Sequence, residues 1–312
     1  MNKQYAKIIF FGTSDFAAII LNKLLQTAHC QLAALVTQPD KPAGRKKKLT
    51  PPPVKILAQQ KNIPVLQPAK LDNNFNQKIS ALKPNLFIVA EYGNLLPGST
   101  LAIPKHGALN VHPSLLPEYR GPSPMQTALL NDDRQTGITI IKMDEKMDNG
   151  PIINQQESII DKQDTYTSLS KKLAEQSADL LIKTIPDYIN KKIKPKKQKH
   201  AQASFTKIIK KEDGLITKNK TAEQVFNMWR AYQPWPGVFI ESRIKNKELR
   251  IKLIKIELTN LMNKKNNPLE LFIENNSLYL LCANRTVLKI NCLQLNGKKS
   301  VDAQSFINGY MK

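Results

Sequence analysis

Residues 6–25 read Ala6-Lys7-Ile8-Ile9-Phe10-Phe11-Gly12-Thr13-Ser14-Asp15-Phe16-Ala17-Ala18-Ile19-Ile20-Leu21-Asn22-Lys23-Leu24-Leu25. The first six residues are mostly apolar and lean towards β structure. Residues 12–15 form a turn, and the remainder has helical spacing. A strand, a glycine turn and a capped helix open a βαβ unit. The turn lacks the G-x-G-x-x-G pattern, so a dinucleotide site is not indicated.

Working outward, residues 32–37 predict a second strand, 54–60 a helix, 63–66 a short strand and 75–82 another helix. The apolar run Leu86-Phe87-Ile88-Val89-Ala90 predicts a buried strand with a polar exit at Glu91-Tyr92-Gly93-Asn94. Residues 109–112 end a further strand, and 137–143 form another. A helix is expected at 125–130. A long amphipathic helix is expected at 167–189, with Leu169, Leu173, Leu180, Leu181 and Ile185 on its apolar face. Alternating strands and helices predict an α/β domain with a doubly wound, mainly parallel sheet.

After residue 190 the character changes. Residues 191–200, K-K-I-K-P-K-K-Q-K-H, read as a basic linker. A helix with Trp229 is expected at 222–231. Five short strands follow at 238–240, 249–256, 271–273, 278–282 and 287–293. Such a set suggests a small closed β-barrel of the OB type, with a closing helix at 301–309. The expected division is a domain at 1–190, a linker at 191–207 and a second domain at 208–312. Trp235 sits in Q-P-W-P-G, where packing is favoured over stacking on a base.

The chain has 312 residues, a net charge of +22 and a pI near 9.8. Residues 1–200 carry net +12 and residues 201–312 net +10, so the excess is not a tail. It predicts an anionic partner such as nucleic acid. Residues 38–49 hold Pro39, Pro42, Gly44 and the cations Arg45, Lys46, Lys47 and Lys48. Pro and Gly predict an irregular loop there, either a solvated charge run or a phosphate contact. The three cysteines form no C-x-x-C pair, which points away from zinc and disulfides and towards a reducing cytoplasm. No apolar run approaches eighteen residues and no signal peptide is read, so no membrane association is expected.

Asn110 and His112 are two apart on a strand and therefore share a face. Asp148 lies in the loop after the 137–143 strand. Polar residues at the ends of apolar strands are where open α/β sheets place their sites. An amide, an imidazole and a carboxylate suit acyl transfer to an amine without a covalent enzyme intermediate. A lone N-x-H is nevertheless common, and a lone histidine is more often structural than catalytic. Arg120 could bind an anion, although an exposed loop arginine is the commoner case.

The longer strings N-V-H-P-S-L-L-P-E-Y-R-G (110–121) and T-G-I-T-I-I-K-M-D-E-K-M-D-N-G-P-I (136–152) resemble the folate-dependent formyltransferases. Within them the resemblance is closest to the branch that formylates methionyl-tRNA. F-F-G-T-S-D-F-A, N-x-x-R-A-x-x-P-W-P-G and L-Q-L-N-G-K-K carry the likeness along nearly the whole chain. The resemblance implies a Rossmann-like formyltransferase domain followed by an OB-like tRNA-binding domain. By the same resemblance Asn110, His112 and Asp148 form the catalytic trio, and Ser114, Leu115, Leu116 and Pro117 bind the folate. Arg45, Lys46, Lys47 and Lys48 match a basic loop that grips the tRNA acceptor end. The formyl donor would be 10-formyltetrahydrofolate, the acceptor methionylated initiator tRNA, with no metal and a monomeric enzyme.

There are departures. Glu91 stands where the family usually has Ala, and Ile216-Thr217-Lys218 replaces a usual Ile-Asp-Trp. Phe205 stands near a usual Tyr. Two other classes stay open. One is a formyltransferase acting on a sugar nucleotide or glycinamide ribonucleotide, or a deformylase. The other is a non-catalytic RNA-binding protein, which would leave the trio without a role.

Overall fold

A computed structural model describes residues 6–28, 30–44, 47–244, 247–263 and 267–311. In chain order the strands are β1 (Ala6–Gly12), β2 (Cys30–Val36), β3 (Lys41–Ala43), β4 (Lys48–Thr50), β5 (Val65–Leu66), β6 (Leu86–Ala90), β7 (Ala108–His112), β8 (Gln135–Lys142) and β9 (Ile152–Ile159). The second set is β10 (Val238–Ile244), β11 (Lys247–Met262), β12 (Leu271–Glu274), β13 (Ser277–Leu281), β14 (Thr286–Leu295) and β15 (Ser300–Asp302). The helices are α1 (Asp15–Leu24), α2 (Pro53–Gln60), α3 (Asn73–Ala81), α4 (Gly98–Leu101), α5 (Pro124–Leu130), α6 (Tyr166–Ile189), α7 (Ala222–Tyr232) and α8 (Ala303–Phe306).

The chain divides into two compact units. One comprises residues 1–124, 135–159 and 169–207, the other 125–134, 160–168 and 208–312. The first unit holds a seven-stranded sheet in the order β5-β2-β1-β6-β7-β8-β9. Pairing is parallel from β5 to β7, and β8 and β9 add antiparallel. This is the predicted mainly parallel α/β sheet. The inner strands read as unbroken apolar runs because both of their faces are covered. All five residues of β6 are buried. The Phe11 ring lies 5.0 Å from Phe87 and 5.4 Å from Tyr92. Val36, Phe75, Ile79 and Leu96 complete this part of the core. Ser14 caps α1, accepting from Ala17 N, and Asp72 caps α3, accepting from Phe75 N.

The sheet grows from β1 in both directions, so the topological switch lies between β1 and β6. Open sheets bind ligands outside the carboxyl ends of the strands beside that point. Gly12, Ala90 and His112 end β1, β6 and β7 there.

Residues 41–43 and 48–50 are not irregular. β3 and β4 pair as a hairpin, with Lys41 opposite Thr50, Pro42 opposite Leu49 and Ala43 opposite Lys48. A two-stranded ribbon consists only of edges, which is where proline is tolerated in a sheet.

The second unit holds an antiparallel sheet in the order β10-β11-β14-β13-β12, with β15 added on β14. This arrangement is consistent with a small barrel. The expected short strand at 249–256 is one long strand, β11. It pairs with β10 through Leu253 and with β14 from Ile251 to Met262. Register shifts along the β14 pairing bend it, as bulges do. Helix α7 opens on a capping box between Thr221 and Gln224. Its Arg230 is 3% exposed and donates to Asp164 O, Asp161 O and Asp132 Oδ1. Through these bonds the segments around 132 and 161–164 join the second unit. Trp229 stacks on Phe226 and donates to Ile254 O. Trp235 is 57% exposed. The closing helix begins later than predicted, since residues 300–302 are strand β15, and it runs on from α8 as a π-helical turn at Ile307–Met311.

Among the described residues no helix is long and apolar enough to cross a membrane.

Candidate active site

Asn110 and His112 lie on β7, with Asn110 beside Val89 of β6 and opposite Ile141 of β8. His112 lies opposite Thr139. The carboxylate of Asp148 meets both. Asn110 Nδ2 donates to Asp148 Oδ1 at 3.2 Å, and His112 Nδ1 lies 3.5 Å from the same oxygen. The second oxygen, Oδ2, accepts from the Gly121 amide at 2.8 Å. His112 Nε2 lies 3.0 Å from Tyr119 O. A carbonyl only accepts, so Nε2 carries the proton and Nδ1 faces the carboxylate. The imidazolium form would satisfy both ring nitrogens at once. The side chains of His112 and Asp148 are 5% and 11% exposed, so their interaction is weakly screened by water. The three predicted catalytic residues therefore come together.

Backbone conformation around the trio is specialised. Tyr119 and Asp148 have φ of +59° and +49°, a region side chains rarely adopt. Gly121 has φ +111°, and an added Cβ would stand 2.7 Å from Thr206 Oγ1. Only glycine fits where its amide must reach Asp148.

The segment Ser114-Leu115-Leu116-Pro117 is a turn held from β8 and β9. Thr139 Oγ1 donates to Ser114 O and accepts from Leu116 N and Gln155 Nε2. Gln155 Nε2 also donates to Leu116 O. Ser114 Oγ is spent on Glu118 O, and both Ser114 and Leu116 are buried. Leu115 packs over Gly137, where a Cβ would meet its Cδ2 at 2.3 Å. Leu115 and Pro117 are the partly exposed side chains of this turn. Thr139 and Gln155 were not singled out in the sequence. A threonine inside an apolar strand and a glutamine in a polar one carry no local signal of such bonds.

Arg120 is not an exposed loop arginine. It is 4% exposed, with hydrogen bonds to Gln198, Asn149 and His200. Residues 191–207, expected as a linker, pack within the first unit. Lys196 and Ile152 exchange main-chain bonds, and Arg120 N donates to Ser204 O.

Glu91 follows β6 with φ +44°, and Ser14 Oγ donates to its carboxylate. Burial pushes the Glu91 carboxyl above its ordinary value of 4.5, against the hydrogen bond from Ser14. Thr13 Oγ1 donates to the next residue's carbonyl, Tyr92 O. Of the basic loop, Arg45 and Lys46 lie outside the described residues. Lys47 and Lys48 are exposed on the hairpin. Among the described residues no group of three His, Cys, Asp or Glu side chains could hold a metal ion.

Residues 6–185 match the formyl transferase family, and residues 208–311 match the formyl transferase C-terminal domain. The chain belongs to the formyl transferase family. It is 43% identical over 306 residues to methionyl-tRNA formyltransferase of Caldicellulosiruptor saccharolyticus, covering 97% of this chain and 96% of that one. The methionyl-tRNA formyltransferase of Thermodesulfovibrio yellowstonii is 40% identical over 303 residues, covering 97% and 95%. Among solved formyl transferases, the N-formyltransferase of Helicobacter canadensis superposes with a TM-score of 0.67 at 21% identity, covering 91% of this chain and 98% of that one. It was solved with folinic acid and dTDP-3-aminofucose. At that identity the likeness speaks to the fold alone.

Proposed function

We propose that this formyl transferase moves the formyl group of 10-formyltetrahydrofolate to the α-amino group of methionine esterified to initiator tRNA, acting as a cytoplasmic monomer. The observation that carries the acceptor is the likeness, along 97% of the chain, to relatives named methionyl-tRNA formyltransferase. The net charge of +22 suits a polyanionic acceptor.

The convergence of Asn110, His112 and Asp148 supports the chemistry. The acceptor amine attacks as the free base, and α-amino groups have pKa values of about 7.7–8.0. A C–N bond forms at the formyl carbon and the carbonyl oxygen becomes an oxyanion. An amide has two hydrogens. Asn110 gives one to Asp148 and has the other for the oxyanion. His112, held as the imidazolium between Tyr119 O and Asp148, adds positive charge beside it. Asp148 takes the proton lost by the amine, directly or through water. Collapse then breaks the bond to N10 of the folate, which is reprotonated. The folate is expected at the 114–117 turn, and the acceptor end of the tRNA at Arg45, Lys46, Lys47 and Lys48.

Incubation with 10-formyltetrahydrofolate and methionyl-tRNA should yield formylmethionine after ester hydrolysis. Formylation of an amino-sugar nucleotide with none of methionyl-tRNA would refute the acceptor. Tight tRNA binding without turnover would leave only an RNA-binding protein.

A further inference from the structure

The six lysines of residues 191–199 are exposed, yet Gln198 among them is only 6% exposed. Its amide makes four contacts. Nε2 donates to Asp148 O at 2.9 Å and Gly150 O at 2.7 Å. Oε1 accepts from Arg120 Nε at 3.2 Å and Arg120 Nη2 at 2.6 Å. Arg120 in turn donates to Asn149 Oδ1 at 3.3 Å and lies 2.9 Å from His200 Nδ1. Guanidinium only donates, so His200 Nδ1 is the unprotonated nitrogen.

The side chain at 198 must donate twice and accept twice. A carboxylate cannot donate, an ammonium cannot accept, and an aliphatic chain does neither. The two carbonyls it holds, those of Asp148 and Gly150, flank Asn149 at the end of the loop. Asp148 sits in the left-handed region, which persists only where its surroundings over-determine it. Two restraints do so from opposite sides. Gly121 holds the carboxylate, and Gln198 holds the main chain that carries it.

We propose that Gln198 is a positioning residue for formyl transfer, fixing the Asp148 loop so that one carboxylate oxygen meets both Asn110 and His112. It also ties that loop to the lysine-rich strap, so a polyanion lying on the strap is one residue from the carboxylate's support. This rests on the function proposed above.

The test compares Gln198→Met, which keeps the shape without hydrogen bonds, with Gln198→Glu, which keeps acceptors for Arg120 but loses both donors. Both variants should lower kcat by about 10²-fold, the scale of an ångström-sized misplacement of a catalytic group. KM for methionyl-tRNA and for the folate donor should stay within about twofold, because the lost interaction serves the transition state. Amide exchange at Gly121 should speed up in both variants. Gln198→Glu keeps a partner for Arg120, so it guards against a Gln198→Met that fails to fold. A folded variant with wild-type kcat, or with unchanged exchange at Gly121, would overturn the proposal. So would a loss expressed equally in both KM values. If the wild type transfers no formyl group to methionyl-tRNA, the proposed function fails instead, and Gly121 exchange then decides the positioning role alone.

Discussion

The loops around Asp148 and the hairpin at 41–50 both project from strand ends of one sheet, yet they are built in opposite ways. Around Asp148 the polar side chains are buried and bonded to segments far away in sequence. Gly121, Asn110, Gln198 and Arg120 converge on one short loop. Among the described residues, the side-chain bonds to other segments lie at the base of the hairpin. There Asp40 accepts from Gln67 and Lys55, and these bonds hold its carboxyl below the ordinary value. Beyond that point Lys47, Lys48 and Leu49 are exposed. Charge that must develop at one atom needs fixed dipoles, whereas a polyanion needs only cations within reach.

The sharpest way to break this comparison is Asp148→Asn. An amide there would point its NH2 at the Gly121 N–H or at Asn110 and His112, donor against donor. Turnover should fall by about 10⁴-fold, as when the carboxylate behind a catalytic histidine is replaced by an amide. The protein should stay folded by circular dichroism. Among the described residues, Asp144 accepts from Lys146 N and Asn149 Nδ2, both within its own loop. If Asp144→Asn lost activity and Asp148→Asn kept it, the wrong acid would have been assigned.

Asn110→Ala comes next. Loss of one oxyanion donor lowers kcat by about 10²–10³-fold with little change in substrate binding. Steady-state kinetics with kcat near wild type would remove Asn110 from the mechanism.

Arg45→Ala tests the other half of the contrast. It should raise KM for methionyl-tRNA, and the slope of log K against log salt should flatten by about 0.7–0.9, one phosphate contact. Folate binding should be untouched. Equal losses in both substrates, measured across several salt concentrations, would mean that the hairpin supports the site rather than the tRNA.

How much of this was legible in the sequence differs between the same two kinds of region. Strands β1 and β6 announced themselves because burial on both faces demands near-continuous apolar runs. The Asn110–His112 pair followed from strand alternation. Asp148 was found only through its longer motif, since a loop carboxylate has no periodicity. Arg120 and Gln198 were not legible at all. One looked like a surface arginine and the other like filler in a lysine run. Their roles rest on bonds spanning 78 and 50 residues, and local spacing cannot encode these. The hairpin was read as irregular because Pro and Gly signal breaks, although two edges can absorb both.

The smallest expected effect concerns Glu91, whose carboxyl is raised by burial. The unfolded chain ionises near the ordinary 4.5 and the native chain only at higher pH. The native state therefore binds more protons in that window, and its stability declines as pH rises through it. Glu91→Gln should abolish this decline, with a gain of a few degrees in Tm at neutral pH. Identical melting profiles from pH 4 to 8 would show that Glu91 carries no such burden.

The strap that carries Gln198 also decides where this protein can be cut. A fragment ending at 190, where the composition changes, would leave the Asp148 and Gly150 carbonyls and the Arg120 guanidinium without their shared partner. It would also expose the main-chain edges at Ile152 and Arg120 that Lys196 and Ser204 cover. The piece that inherits an intact Asp148 loop runs on to Lys207. Any exchange of C-terminal domains between relatives, by recombination or by design, would have to place its seam beyond that residue.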